Sequence, residues 1–395
     1  VDTKSVSGNL RYLILAASVL MQLCLGSIYA WSVFVSSLRA STGLGQGPVQ
    51  IPYTVFYIVF PLTMLVSGVL LSRIGPRICS VAGGILFGGG WVLASLGDKY
   101  FLFTVVGIGL LGGIGAGFAY LVPLAVGVRW FPRHKGLVAG IAMAGFGGGP
   151  ILISQIAGHL MQFYHVSAFG MFRGLGLVFI LIIPLAGLIL RFPENVSGEK
   201  SRGLAFRAVV HRRLFWLLYM TMVTGLVAGF TVITNLTKLF SGPDERVGVL
   251  AVALFAVANG LGRILWGIFF DKVKSDTAIK LNLVLQALLF FSGSWTLQSP
   301  SGFLFFAFFA GFNYGGLLVI HVSSTARHWG AEHVGQVYGW LSSSNIPAAI
   351  APLLAGLAYD RWGSFNPSLL VIAALLVLVS ILFHKMSHSA LVKTN

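Results

Sequence analysis

Acidic residues are scarce: the 395-residue chain carries ten aspartates and glutamates against 26 lysines and arginines, and charged residues of all kinds make up 9% of it. Soluble domains hold about a quarter of their residues as charges, so a water-covered globular surface is excluded. Cysteine is almost missing as well. Cys24 and Cys79 fall in separate apolar runs, which excludes a disulfide framework and leaves two small buried hydrophobes. No His-Glu-x-x-His, no Gly-x-Ser-x-Gly and no aspartate pair inside an apolar run is present, so no enzyme chemistry is expected. The string Gly107-x-Gly109-x-x-Gly112 spells a dinucleotide fingerprint, but no strand precedes it and no acidic residue follows. No cofactor and no metal is expected.

Apolar residues are what the chain has, at 56% of positions and a mean hydropathy of +0.89. Only a bilayer accommodates that much hydrocarbon. The net charge of +16 would suggest nucleic acid in a soluble protein, but the basic residues sit in the gaps between apolar runs and form no single face; no nucleic acid is expected as a partner, and membrane lipid is. Polar Val1 to Asn9 leads into a run far longer than a signal h-region, so a retained first helix is expected with no cleavable signal.

A span needs roughly 20 apolar residues. Runs of that kind lie near 11–37, 50–72, 77–96, 100–128, 136–161, 168–190, 214–240, 247–270, 278–297, 302–325, 335–358 and 366–385. The expected fold is an all-α membrane protein of twelve transmembrane helices. Its halves are 1–190 and 214–395, joined by a basic cytoplasmic linker at 191–213 that holds Arg191, Lys200, Arg202, Arg207, Arg212 and Arg213. Nineteen of the lysines and arginines lie at the termini and in the even-numbered gaps, and five in the odd-numbered ones, so both termini are expected in the cytoplasm.

The halves echo each other. Gly68-x3-Ser72-Arg73 recurs as Gly267-x3-Asp271-Lys272, and His134-x-Gly136-x-Val138-x-Gly140 as His333-x-Gly335-x-Val337-x-Gly339, both 199 residues on. Gly117-Phe118-Ala119-Tyr120 recurs as Gly311-Phe312-Asn313-Tyr314, 194 residues on. Six spans per repeat make the halves parallel, with a central cavity expected between them.

All ten carboxylates fall outside the apolar runs, so Arg173 and Arg263 are the charged residues at membrane depth. An arginine near a helix centre costs at least about 2.5 to 3.5 kcal/mol to insert and normally faces a cavity or partner. Arg263 has no acid at its depth, and a substrate anion is the economical partner, since the guanidinium fork matches a carboxylate. The alternative is that it snorkels over the seven residues, about 10 Å, to the end of its run. Arg173, near the outer start of the sixth run, reads as an interfacial anchor.

Asn259 lies one turn before Arg263 and could orient it. Tyr29, Tyr57, Tyr120 and Tyr314 could ring a cavity with hydroxyls, or pack as plain aromatics. His321 and Asn345 are further polar residues at depth; His321 is the candidate for carrying a proton, although a lone histidine is more often satisfied structurally. Clustered glycines in the fourth and fifth runs read as seams for close helix contact.

At these residues the chain resembles the major facilitator superfamily, and within it the monocarboxylate transporter and oxalate–formate antiporter group. The segment Arg129 to Gly145 resembles that group's signature entering the fifth helix. Gly68 to Arg77 resembles the superfamily's gating loop, with Ser72 where an aspartate is usual, and Asp271 is kept in the second copy. The resemblance implies gating roles for Arg73, Arg77, Asp271 and Lys272, and a substrate-carboxylate role for Arg263. Animal monocarboxylate transporters carry an aspartate where this chain has Asn259, and a lysine in the first helix that is missing here near Val33. The oxalate–formate antiporters carry a lysine where this chain has Asn345. One buried cation neutralises a monoanion but not a dianion. The expectation is therefore a carrier for a small monocarboxylate such as lactate or pyruvate, with proton symport, working as a monomer in a bacterial inner membrane. Exchange of organic anions is the alternative. A passive pore would need rings of cations that are not present.

Overall fold

The computed structural model describes residues 3–131, 135–193, 204, 206–240, 245–330 and 333–391. His134 of the repeated motif, the acidic residues Asp2, Glu194, Glu199, Asp244 and Glu332, the linker residues Lys200 and Arg202, and the side chain of Ser72 lie outside the described residues. Among those described, every regular element is helical.

Among the described residues, eleven helices are long and apolar enough to cross a bilayer. We number the spans α1 (Leu10–Thr42), α2 (Pro48–Ser67), α3 (Arg73–Ala94), α4 (Leu102–Gly127), α5 (Gly140–Phe163), α6 (Ala168–Ile189), α7 (Arg213–Leu239), α8 (Arg246–Lys272), α10 (Pro300–Trp329), α11 (Val337–Trp362) and α12 (Asn366–Met386). The expected ninth span is present as α9 (Ser275–Phe291), only 17 residues long, followed by a separate turn at Gly293–Thr296. The break has a local cause: Ser292 Oγ donates to the Leu289 carbonyl, Thr296 Oγ1 donates to the Ser292 carbonyl, and Gly293 stands between them. Such side-chain bonds compete with the helical ladder.

The chain packs as two compact units, Val1–Leu44 with Ile51–Glu199, and Gly45–Gln50 with Lys200–Asn395. In the first unit, Gly109, Gly113 and Gly117 of α4 lie against Val55, Val59 and Thr63 of α2, both sets spaced by four, so two i, i+4 ridges interlock. The other side of α4 meets α3, where Gly107 faces the Gly90 carbonyl and Gly115 the backbone of Phe87. Val105–Gly112, which contains the dinucleotide-like string, is a π-helical stretch. Gly145 and Gly149 of α5 rest on Val19 and Leu23 of α1, and Gly26 of α1 on the backbone of Phe146. The second unit repeats the device, with Gly311 and Gly315 of α10 on the backbones of Phe255 and Asn259 of α8, and Gly262 on Phe312.

Two local irregularities shape the site. The chain turns from α2 into α3 at Gly75, whose φ of 84° suits only glycine, followed by Pro76. Helix α11 breaks at Ser342–Ser344 and again before Ala351, with Pro347 and Pro352 removing two backbone donors.

The short segment Gly45–Gln50 is fastened within the second unit. Asp360 accepts the backbone N–H groups of Gln46 at 2.6 Å and Gly47 at 2.8 Å. Asn235 Oδ1, fully buried on α7, accepts the amides of Gln46 at 2.7 Å and Gln50 at 3.2 Å.

Gly311→Leu is expected to lower the melting temperature of the detergent-solubilised protein, at about 1 to 3 kcal/mol of overpacking. Gly260→Ala, where nothing lies within 4 Å of an added Cβ, should leave it unchanged or slightly raised. Asp360→Ala should speed hydrogen exchange at the Gln46 and Gly47 amides by about tenfold, because each loses a charge-assisted bond.

Candidate substrate site

The expected site residues fall in both units. In the first, Tyr29, Tyr57 and Tyr120 come together although they stand on α1, α2 and α4. Tyr29 and Tyr57 stack with centroids 6.2 Å apart and planes 5° from parallel. Phe146 of α5 takes the edges of both Tyr29 and Tyr120 at 5.2 Å, and Phe60 takes Tyr120 at 5.3 Å. Tyr53 adds a fourth phenol, 4.7 Å from Tyr57. Gly26 lets α1 approach α5 closely enough for these rings to meet. Gln22 of α1, fully buried, donates from Nε2 to the Tyr120 carbonyl at 3.3 Å, while its Oε1 has no partner among the described residues.

In the second unit, Arg263 sits nine residues before the end of α8 at Lys272, about 14 Å along the axis. The apolar run itself ends at Phe270, seven residues on, and Asp271 and Lys272 extend the helix by about 3 Å beyond it. The side chain is half-buried. Its Nε donates to Asn259 Oδ1 at 3.3 Å, the i, i+4 arrangement the spacing predicts. Asn259 is 1% exposed, and its Nδ2 has no acceptor among the described residues. With Oδ1 turned to Arg263, the amide and guanidinium both present donors, which is the complement of a carboxylate.

Tyr314 of α10 is buried where the missing side chain of Gly229 on α7 makes room for its ring. It lies 6.1 Å from Phe255, as Tyr120 lies beside Phe60, so the echo between the two Gly-Phe-x-Tyr segments extends to their aromatic neighbours. Gly315, next in sequence, presses on the backbone of Asn259 and fixes the α8–α10 crossing at the Arg263 level.

His321 lies two turns beyond Tyr314 and is fully buried. Its Nδ1 is 2.8 Å from the Leu317 carbonyl and its Nε2 is 2.9 Å from Thr221 Oγ1. A carbonyl can only accept, so Nδ1 carries the proton; the one Thr221 hydroxyl proton is shared among His321 Nε2 and the Leu217 and Leu218 carbonyls, each carbonyl at 3.0 Å. Asn345 stands at the α11 break and donates to the Ser342 carbonyl at 2.6 Å. Ser342 and Ser343 return their hydroxyls to the carbonyls of Gly339 and Trp340. Arg73 and Arg77 are exposed on either side of the Gly75 turn, and Asp271 and Lys272 are exposed at the end of α8. Arg173 is exposed on α6. Cys24 and Cys79 are free and buried.

Several residues escape a reading of the sequence. Thr221, Gln22 and Asn235 are ordinary polar residues in apolar runs, and only the fold shows whom they meet. Arg327 carries more signal, since it ends the tenth run. Its guanidinium closes α8 by donating to the Val273 and Phe270 carbonyls at 2.8 and 3.0 Å, and lies 4.1 Å over the Phe270 ring.

These features define a multi-pass membrane protein. The chain belongs to the Major Facilitator Superfamily, whose family model matches residues 14–342 and 250–390. It is similar to the oxalate:formate antiporter of Oxalobacter formigenes, at 24% identity over 93% of this chain and 88% of that protein. It is also similar to apicoplast pyruvate carrier 1 of Toxoplasma gondii, at 25% identity over 75% of this chain and 66% of that one. A solved bacterial homologue of the human lysosomal transporter Spinster shares the fold, with a TM-score of 0.77 at 15% identity, covering 97% of this chain and 98% of that one.

Thr221→Val should destabilise the solubilised protein by about 1 to 3 kcal/mol, seen as a lower melting temperature, because it leaves His321 Nε2 buried without a donor.

Proposed function

We propose that this transporter carries a small monocarboxylate, L-lactate, pyruvate or a close relative, by alternating access, with the substrate carboxylate held on Arg263 and Asn259. The observation that carries the reading is that pair: a half-buried guanidinium deep in an apolar helix, oriented by an amide whose own N–H group lacks an acceptor among the described residues. A carboxylate supplies the missing acceptor and the opposite charge, and a single charge is what one arginine compensates. The names of the two relatives, an oxalate:formate antiporter and a pyruvate carrier, support a small organic anion. Tyr29, Tyr57, Tyr120 and Tyr314 provide apolar walls with hydroxyl tips, and Asn345 a further amide. Arg73, Arg77, Asp271 and Lys272 serve the gating loops. The protein works as a monomer in a bacterial inner membrane with both termini in the cytoplasm, and a proton accompanies the anion. His321, with both ring nitrogens engaged, is the one histidine in the second unit's core that could take part in coupling.

Exchange is the second reading, favoured by the likeness to the antiporter and by the position of every carboxylate outside the apolar runs. In proteoliposomes, symport predicts lactate accumulation driven by an inward pH gradient. Uptake indifferent to that gradient, yet stimulated by carboxylate on the far side, establishes exchange instead. Arg263→Gln is expected to reduce lactate flux about a hundredfold, the loss typical of breaking a buried charged pair. Arg173→Gln should leave flux near the parent value. Undiminished flux in the Arg263 variant overturns the site.

A further inference from the structure

A cavity of about 460 Å³ opens where α7, α9, α11 and α12 end or begin within the second unit. That volume is in the range of small-molecule sites. Lys238, in the last turn of α7, is the only charged residue among the described residues that line it. Ser294, Gln298, Ser364 and Asn366 supply polar groups, and Leu239, Leu297 and Phe365 an apolar floor.

Gln298 Nε2 donates to the Ser294 carbonyl at 2.7 Å, and the free donor of this set is Ser364. Ser364 Oγ accepts the Asn366 N–H at 3.1 Å, which leaves the hydroxyl proton of Ser364 for another acceptor. Asn366 opens the 26-residue helix that continues as α12, so the positive end of a long helix dipole lies at the cavity rim beside the ammonium. The carbonyl end of α7 also attracts Lys238, but it does not account for a walled polar space built around that cation. Trp295 and Trp362, exposed by 64% and 60% on the turns flanking the lining residues, are the side chains that favour the depth of lipid headgroups.

We propose that this cavity is a second anion site, separate from Arg263, which holds an oxyanion group, either a dissolved small carboxylate or the phosphodiester of an anionic lipid headgroup. It is built on residues of one unit and does not rest on the transport reading.

The test is protection of Lys238 from acetylation by sulfo-N-hydroxysuccinimidyl acetate. The full chain is reconstituted in vesicles, labelling is followed by peptide mass spectrometry, and exposed Lys99 serves as the internal reference. In phosphatidylcholine vesicles, lactate at about ten times a millimolar Kd should slow labelling of Lys238 by about tenfold, with sodium chloride of equal strength as control. Vesicles containing phosphatidylglycerol, without lactate, form the second arm. Protection by lactate assigns the site to a soluble carboxylate, and protection by phosphatidylglycerol assigns it to lipid. Either supports the proposal if it persists in the Arg263→Gln protein, which separates this site from the transport site. Equal labelling in all arms, or protection that vanishes with Arg263→Gln, overturns it.

Discussion

The close approach of helix backbones, made possible by glycine, is the constraint on which the rest depends. Lipid offers helices no hydrophobic reason to associate, so the units are held by fitted surfaces. On α4 and α10 those surfaces are glycine ridges seated on the side chains or backbones of α2 and α8. The same contacts fix the heights of Tyr120 and Tyr314, each of which lies next to such a ridge. Packing and the proposed site are therefore one arrangement here, since the glycine that lets two helices touch stands beside the tyrosine proposed to line the site.

Buried polar groups follow a consistent economy. Several serines and threonines in the spans return their hydroxyls to a carbonyl three or four residues back, as Ser18, Thr63, Thr224 and Thr325 do, which satisfies them without a partner helix. Polar residues that reach across helices are fewer and more informative: Thr221 to His321, Asn282 to the Asn313 carbonyl, and Asn235 to two glutamines. Asn259 departs from both patterns, with one end committed to Arg263 and the other uncommitted among the described residues.

Much of this was legible in the order of residues. Uninterrupted apolar runs announce spans, because nothing else satisfies a backbone in hydrocarbon, and the spacing of Asn259 and Arg263 announces their hydrogen bond. The ninth span was legible as a run but not in its length, which depends on how Ser292 and Thr296 spend their hydroxyls. The gathering of Tyr29, Tyr57 and Tyr120 about Phe60 and Phe146 was less visible, since it needs several helices to cross. The pairing of Asp360 with two amides more than 300 positions away left no trace in composition or period.

The π-helical stretch of α4 sets the angular phase of everything beyond it. Each residue advances an α-helix by about 100°, and a π-turn accommodates an extra residue without passing that advance on as ordinary helix would. Winding Val105–Gly112 as ordinary α-helix with all of its residues kept would turn Gly113–Trp130 about its own axis. Tyr120 would then swing off Phe60 and Phe146, and Gly115 and Gly117 off the helices they seat against. The irregular winding thus acts as an indexing step, aligning a glycine face and a tyrosine face that a uniform helix would present in different directions.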